Sequence, residues 1–344
     1  MQKLLTVAVP CYNSQEYMRT ALESILPAGD KAEILIVDDG STDGTAAIAA
    51  EYAGRYPDTV RVIRQENGGH GAAVNTGLRE ARGLFFRVVD SDDWLDRDAL
   101  LKLMAVLEEM HRKGEYADLV LTNYIYDHGE HGKRKLIHYR GTVPAGRMIT
   151  WDEVEHFPMG SYILMHAATY RTGLLRDSGL ELPGHTFYVD NIFVYVPMAL
   201  TERLYYLDAD LYHYILGRPD QSVNEAVMTK RIRQQLRINR IMLESVDLSQ
   251  VDHPRKREYM LHYLEVITMA TTVFMLRTRS KENEQALTKF LTEIRDRYPI
   301  VYEYFVSPPR WRHLFRMIER APRIITVPGI LLGYRIVRSR FGFN

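Results

Sequence analysis

Four apolar runs early in this chain each end in a short polar cluster: Tyr12-Asn13, Asp38-Asp39, Glu66-Asn67 and Asp90-Ser91-Asp92-Asp93. The runs, 4–9, 33–37, 60–64 and 84–89, have the length and continuity of strands covered on both faces, as in a parallel sheet. Helical periodicity fills the gaps. Met18, Ala21, Leu22 and Ile25 recur at helical spacing behind Asn13-Ser14, which can cap a helix, and ahead of Pro27, which ends it. Segments 45–56 and 71–81 read the same way, and 98–111 places Leu100, Leu103, Met104 and Leu107 on one face. This βαβαβαβ order predicts an α/β fold with a right-handed, doubly wound sheet. Such sheets bind ligands outside the carboxyl ends of their strands, and every polar cluster stands at a carboxyl end.

After residue 115 the pattern changes. Segments 118–127 and 136–140 read as strands around a polar turn at 127–135. Further short strands are expected at 167–170, 204–207 and 211–215, with a helix at 191–201 that Pro197 should kink or delay. From about 223 the chain turns helical, over 226–246, 254–279, 282–298 and 309–320, which places a boundary near 220 at Gly217-Arg218-Pro219. The 344 residues suffice for two domains, or for one domain and an appendage.

The charges balance at 44 basic and 44 acidic residues, which gives no sign of disorder, but the balance hides a basic tail. Residues 310–344 hold eight arginines against the single acid Glu319. Arg312, Arg316, Arg320 and Arg323 recur at helical spacing, with Leu314, Phe315 and Ile318 available for an apolar face. This fits a peripheral anchor on a membrane surface, and equally a packed terminal helix with solvated arginines. No recognised nucleic-acid-binding module accompanies it. Cys11 stands alone, so no intrachain disulfide forms and a reducing compartment is expected. The opening run has no signal-peptide pattern, and the apolar stretch 324–337 is too short to span a bilayer. The expectation is a cytoplasmic protein whose tail is a candidate contact with the inner face of the cell membrane.

The fourth cluster carries the sharpest chemistry. Three carboxylates within four residues repel one another in a low-dielectric cleft, and a hard divalent cation, Mg²⁺ or Mn²⁺, would relieve that repulsion. In an extended chain, alternation aims Asp90 and Asp92 to the same side, with Asp92 as the direct ligand. The same acids also suit a helix N-terminus. Asp38-Asp39-Gly40-Ser41-Thr42-Asp43-Gly44-Thr45 offers carboxylates for a base or ribose, and side chains that can cap the next helix. Gly68-Gly69-His70-Gly71 has the look of a phosphate loop opening a helix, yet matches neither GxGxxG nor the P-loop pattern.

Taken in order, Val9-Pro10-Cys11-Tyr12-Asn13, the segment 37–45, Asn67-Gly68-Gly69-His70-Gly71 running on to Leu78, and Asp90-Ser91-Asp92-Asp93-Trp94 resemble the motifs of family 2 glycosyltransferases. The resemblance implies a GT-A fold over 1–220, with a nucleotide-sugar half at 1–115 and an acceptor half at 116–220. Residues 221–344 form a C-terminal helical region outside its reach. It also implies inverting transfer of one sugar from a nucleotide-diphosphate sugar donor to a hydroxyl of a cell-surface glycan or lipid-linked acceptor. Pro10, Tyr12, Asp39 and Asn67 would surround the nucleoside, with Asp39 near the uracil of a UDP-linked donor. Asn13, Asp38, Gly69, Asn75 and Ser91 would complete the donor site, and Asp90 and Asp92 would be the metal pair.

The family's catalytic base maps onto Asp190 in Phe187-Tyr188-Val189-Asp190-Asn191, where apolar neighbours should raise a carboxylate pKa. His185 and Asp93 are candidates for the acceptor side. His166 and His213 read more simply as structural histidines, and His128 with His131 lacks a third zinc ligand. The chain departs from the family at Val74, commonly arginine, and at Val189, commonly an acid. The Gln-x-x-Arg-Trp signature of processive synthases is absent. Two alternatives remain at this stage, a non-catalytic nucleotide-sugar-binding scaffold and a nucleotidyltransferase.

Overall fold

The computed structural model describes residues 2–127, 132, 134–216 and 225–307. The predicted tail helix, the expected membrane contact at 310–344, His128 and His131 lie outside the described residues. The chain divides into two compact units, Met1–Phe157 with Ser161–Gly217, and Pro158–Gly160 with Arg218–Asn344.

The first unit opens as its periodicity predicts: β1 (Leu5–Cys11), α1 (Met18–Ile25), β2 (Ala32–Asp38), α2 (Thr45–Arg55), β3 (Val60–Arg64), α3 (His70–Glu80) and β4 (Phe85–Val88). There follow β5 (Trp94–Leu95), α4 (Arg97–Lys113), β6 (Leu119–Asp127), β7 (Lys135–Ile137), β8 (Met148–Ile149), β9 (Ala168–Arg171), α5 (Thr172–Asp177), α6 (Asp190–Met198) and β10 (Leu204–Ile215). Among the described residues the strands form one 10-stranded sheet in the order β3-β2-β1-β4-β9-β6-β10-β5, with β7 on β6 and β8 on β10.

Strands β1 to β4 pair in parallel, as do β6 and β10, while β9 runs antiparallel between β4 and β6. Every residue of β1, β2 and β4 is buried, which is why they read as unbroken apolar runs. The chain winds outward from β1 through β2 to β3 and then returns to place β4 on the other side of β1. That reversal opens a crevice at the carboxyl ends of β1 and β4. The loops meet there, and the Ser14 and Ser91 hydroxyls lie 2.7 Å apart.

Local differences from the sequence reading have identifiable causes. Helix α1 begins at Met18 without a side-chain cap, because the Ser14 hydroxyl is used by the Tyr12 amide and by Ser91. Residues 204–215 form one strand instead of two. The polar Asp208-Ala209-Asp210 stretch is absorbed by register shifts, and the Asn123 amide donates to both aspartates at 2.8 Å. Pro197 neither delays nor breaks α6; it sits in the last turn, near where the helix ends.

The second unit is helical, with α7 (Glu225–Lys230), α8 (Ile232–Ser245), α9 (Pro254–Arg277), α10 (Lys281–Arg297) and α11 (Pro299–Val306). The single helix expected at 226–246 breaks at Arg231, and α11, led by Pro299, was not expected. Helix α9 is long and apolar enough to cross a membrane, but 83% of its most apolar window is buried among its neighbours, as in a core helix.

One long-range junction fixes the crevice. The segment 182–185 crosses the start of α3, where Asn75 makes two hydrogen bonds to the Leu182 backbone, at 2.9 and 3.0 Å. The His185 amide donates to the Gly68 carbonyl at 2.8 Å. Only glycine permits this approach. A Cβ on Gly71 would stand 2.7 Å from the Pro183 carbonyl oxygen, and one on Gly69 would stand 2.8 Å from the His185 nitrogen. Gly71→Ala is therefore expected to cost about 1–3 kcal/mol. Gly54→Ala, in α2 with nothing within 4 Å of the new methyl, should instead add about 0.5–1 kcal/mol. Thermal melts of the two variants decide the matter; equal melting points would contradict the junction.

Candidate active site

Strand β1 delivers Tyr12 and Asn13 to the crevice. Asn13 adopts φ 50°, and its side-chain oxygen accepts from the Thr42 amide at 2.9 Å, while its own amide donates to Ser41 Oγ at 3.0 Å. This lattice leaves the Tyr12 ring 54% exposed at the strand end, an uncovered aromatic face. Pro10 is buried in β1 opposite Val37.

Strand β2 ends in two buried carboxylates with different partners. Asp38 accepts from the Ser41 amide and lies 3.3 Å from Arg64 Nε. Asp39 accepts from Gln65 Nε2 at 2.7 Å, from the Gly68 amide at 2.9 Å and from the Gly69 amide at 2.7 Å. The Asn67 side chain donates to the Asp39 carbonyl. The glycine loop thus closes on a carboxylate of this chain. Its φ of 82° at Gly69 and its close approaches serve that closure and the 182–185 crossing. Asn75, expected among the donor-binding residues, bonds the Leu182 backbone through both ends of its amide. Val74, where the family commonly has arginine, is buried.

The carboxylate cluster after β4 is a turn, closed by the Asp93 amide donating to the Asp90 carbonyl at 3.0 Å. The extended-chain expectation for Asp90 and Asp92 therefore fails. Asp93, expected toward the acceptor, is 1% exposed and faces β10. It accepts from the Tyr212 hydroxyl at 2.6 Å and the Ile215 amide at 2.9 Å. Burial, then the charges of Asp92 and Asp90, push its pKa well above the carboxylate range.

Asp90 pairs with His70, Oδ1 to Nε2 at 2.8 Å. Burial alone would lower the His70 pKa, but the charge and hydrogen bond of Asp90 raise it, with further contributions from Asp190 and Asp92. Burial would raise Asp90, and the His70 contact outweighs it and holds the carboxyl below its usual range. This hydrogen-bonded pair lies at the crevice.

Behind it lies His166, whose pKa burial pushes down to about 4, and whose Nδ1 is buried with no hydrogen-bond partner among the described residues. Ligand atoms of Asp90, Asp93 and His166 lie within 4.8 Å of one another. Under them Arg87, fully buried, donates to Thr169, Thr122 and the His166 carbonyl and lies over the Tyr212 ring. His70 and Tyr212 escaped the sequence reading. The signal for His70 was present: a titratable side chain directly behind a glycine pair, at a helix start facing the strand ends.

Asp190 is the first residue of α6, not its cap. Burial pushes its pKa up to about 6, against a lowering by His70 and with a raising by Asp90, so the expected desolvation is present. The segment leading to it is strained: His185 and Tyr188 take φ of 47° and 68°, left-handed values that non-glycine residues adopt at a cost. His185 stands at the Gly68-Gly69 loop, and Val189 is 3% exposed, turned into the core.

Comparison with known proteins agrees with this geometry. Residues 6–172 match the family Glycosyl transferase family 2. EpsH of Bacillus subtilis is 31% identical over 229 residues, 61% of this chain and 60% of EpsH. The poly(ribitol-phosphate) beta-N-acetylglucosaminyltransferase TarS of Staphylococcus aureus is 24% identical over 302 residues, 85% of this chain and 50% of TarS. The chain thus spans about half to 60% of the length of these curated relatives. The crystal structure of TarS 1–349 with UDP-GlcNAc superposes with a TM-score of 0.70 at 21% identity, covering 97% of this chain and 92% of that one. A Pyrobaculum calidifontis mannosyltransferase in complex with GDP-Man and Mn²⁺ gives a TM-score of 0.54 at 16% identity, covering 94% of this chain and 89% of that one. The likeness to TarS in fold extends past the sheet into the helical region, where the sequence motifs gave nothing. Over residues 6–172, just under half of its length, this chain carries the sequence pattern of glycosyl transferase family 2.

Proposed function

We propose that this chain transfers a single sugar, with inversion, from a UDP-linked donor to a hydroxyl of a cell-surface glycan or lipid-linked acceptor. The observation that carries the reading is Asp190. It is a desolvated carboxylate with a pKa near 6, electrostatically coupled to the Asp90–His70 pair in the crevice where a donor would lie. The UDP and UDP-GlcNAc complexes of TarS support the donor class, and the envelope-polymer roles in relatives' names support the acceptor class.

Tyr12 offers its open face to the base, and Asp39 fixes the loop that borders it. Asp190 takes the proton of the acceptor hydroxyl as that oxygen attacks the anomeric carbon. The nucleoside diphosphate leaves from the opposite side, and no covalent intermediate forms. His70, whose pKa Asp90 raises against the effect of burial, would when protonated place a positive charge beside the departing phosphates. The ligand atoms that converge are those of Asp90, Asp93 and His166, and with Asp92 in the same turn they would hold a divalent cation; mixed oxygen and nitrogen donors favour Mn²⁺ over Mg²⁺. When bound, that ion supplies charge stabilisation for the diphosphate leaving group. The scaffold alternative drew on Val74 and Val189, both of them buried, and a transfer assay decides between it and catalysis.

Asp190→Asn is expected to keep UDP affinity within about twofold while lowering transfer by about 10²–10⁴-fold. In the wild type kcat should fall about tenfold per pH unit below 6, as the base becomes protonated. A pH-independent rate, or an active Asp190→Asn, would place the base elsewhere. Asp92→Asn should abolish the Mn²⁺-dependent rise in melting temperature with UDP, about 2.7 kcal/mol of stabilisation at a hundredfold excess over Kd. An unchanged rise would remove Asp92 from the metal site.

A further inference from the structure

The acceptor side of the crevice is built from aromatic rings. Tyr126, Tyr162, Phe187, Tyr188 and Tyr214 are all half-buried. They are connected to the reacting groups. Tyr214 stacks on His166 at 4.6 Å between ring centroids and 18° between planes, and Tyr126 lies 5.6 Å from Tyr214. Tyr126 is braced edge-on by Tyr124 at 5.4 Å. The Asp190 charge acts directly on the phenols of Tyr126 and Tyr162, and helps raise both. The rings therefore occupy the ground between the Asp90 cluster and the base, where an acceptor must sit to present its hydroxyl to Asp190.

The surrounding carboxylates are Asp90, Asp92 and Asp190, with His70 paired to Asp90. Among the described cations, Lys135 lies cross-strand from Tyr126 in β7, Arg134 pairs with Asp127, and Arg87 is buried beneath the cluster. A pyranose has a flat face of C–H groups that packs on an aromatic plane, and hydroxyls that reach phenol and carboxylate oxygens. An open-chain polyol phosphate has no such face.

Resting on the transferase reading above, we propose that Tyr126 and Tyr162 form the acceptor platform and select a neutral pyranose over a polyol phosphate. The test is UDP release by the full chain with Mn²⁺ and UDP-GlcNAc, UDP-glucose or UDP-galactose. Release is measured alone and with methyl β-glucoside, methyl β-galactoside, methyl N-acetyl-β-glucosaminide or ribitol 5-phosphate. At least one pyranoside is expected to stimulate release, and ribitol 5-phosphate is not.

Tyr126→Ala and Tyr162→Ala should raise the KM for that pyranoside about tenfold, while the UDP–Mn²⁺ thermal shift, which reports folding and donor binding, stays within its wild-type range. Tyr126→Phe and Tyr162→Phe, which keep the ring, should stay within about threefold of wild type in that KM. Stronger stimulation by ribitol 5-phosphate would overturn the proposal. So would donor turnover that no pyranoside stimulates, or alanine variants with an unchanged acceptor KM. No UDP release from wild type under any condition would instead remove the donor reading beneath it.

Discussion

The buried carboxylate of Asp39 organises the crevice. It accepts from Gln65 and from the amides of Gly68 and Gly69, so the loop after β3 is bound to the end of β2. Bonds to an ionised acceptor are the strong kind, and their loss would strand a buried charge. The fixed loop presents the Gly68 carbonyl to the His185 amide, and Asn75 holds Leu182 one step earlier. The strained 185–188 segment ends at Asp190. Through these contacts a residue of the nucleotide half sets the place of a residue more than a hundred positions later.

Electrostatics explain why the crevice is poised for chemistry and costly to keep. Asp90, Asp92, Asp93 and Asp190 gather where β4 and α6 converge, and the environment separates their behaviour. Asp93 is pushed up by burial, and its bonds to Tyr212 and Ile215 tie the turn to β10. Asp90 is pulled down by His70, and Asp190 is left near neutrality. Arg87 adds a cation beneath the cluster, donating to hydroxyl and carbonyl acceptors and lying over the Tyr212 ring. The groups pushed apart in pKa are the ones available for acid–base work.

Much of this was legible in the sequence, and the limits have a physical origin. Strands β1 to β4 and helices α2 to α4 follow from apolar periodicity, because each lies against one continuous core. The crevice follows from winding order, since a switch between β1 and β4 puts the polar clusters together. What the sequence could not supply were partners distant along the chain. Asn75 and the glycines of 68–71 look like nucleotide contacts locally, yet their geometry answers to residues 182–185. Asp93 looks exposed in an acidic run, but β10 claims both its oxygens. The Asp90–Asp93 turn replaces the extended chain that alternation assumed.

The central claim is a single displacement with Asp190 as base on the face opposite the leaving diphosphate. The anomeric configuration of the first-formed product, read by ¹H NMR from an α-linked UDP-sugar donor, tests it most directly. The account predicts a β-linked product from the earliest time points. An α-linked product would contradict it, because retention requires a different arrangement of groups around the anomeric carbon.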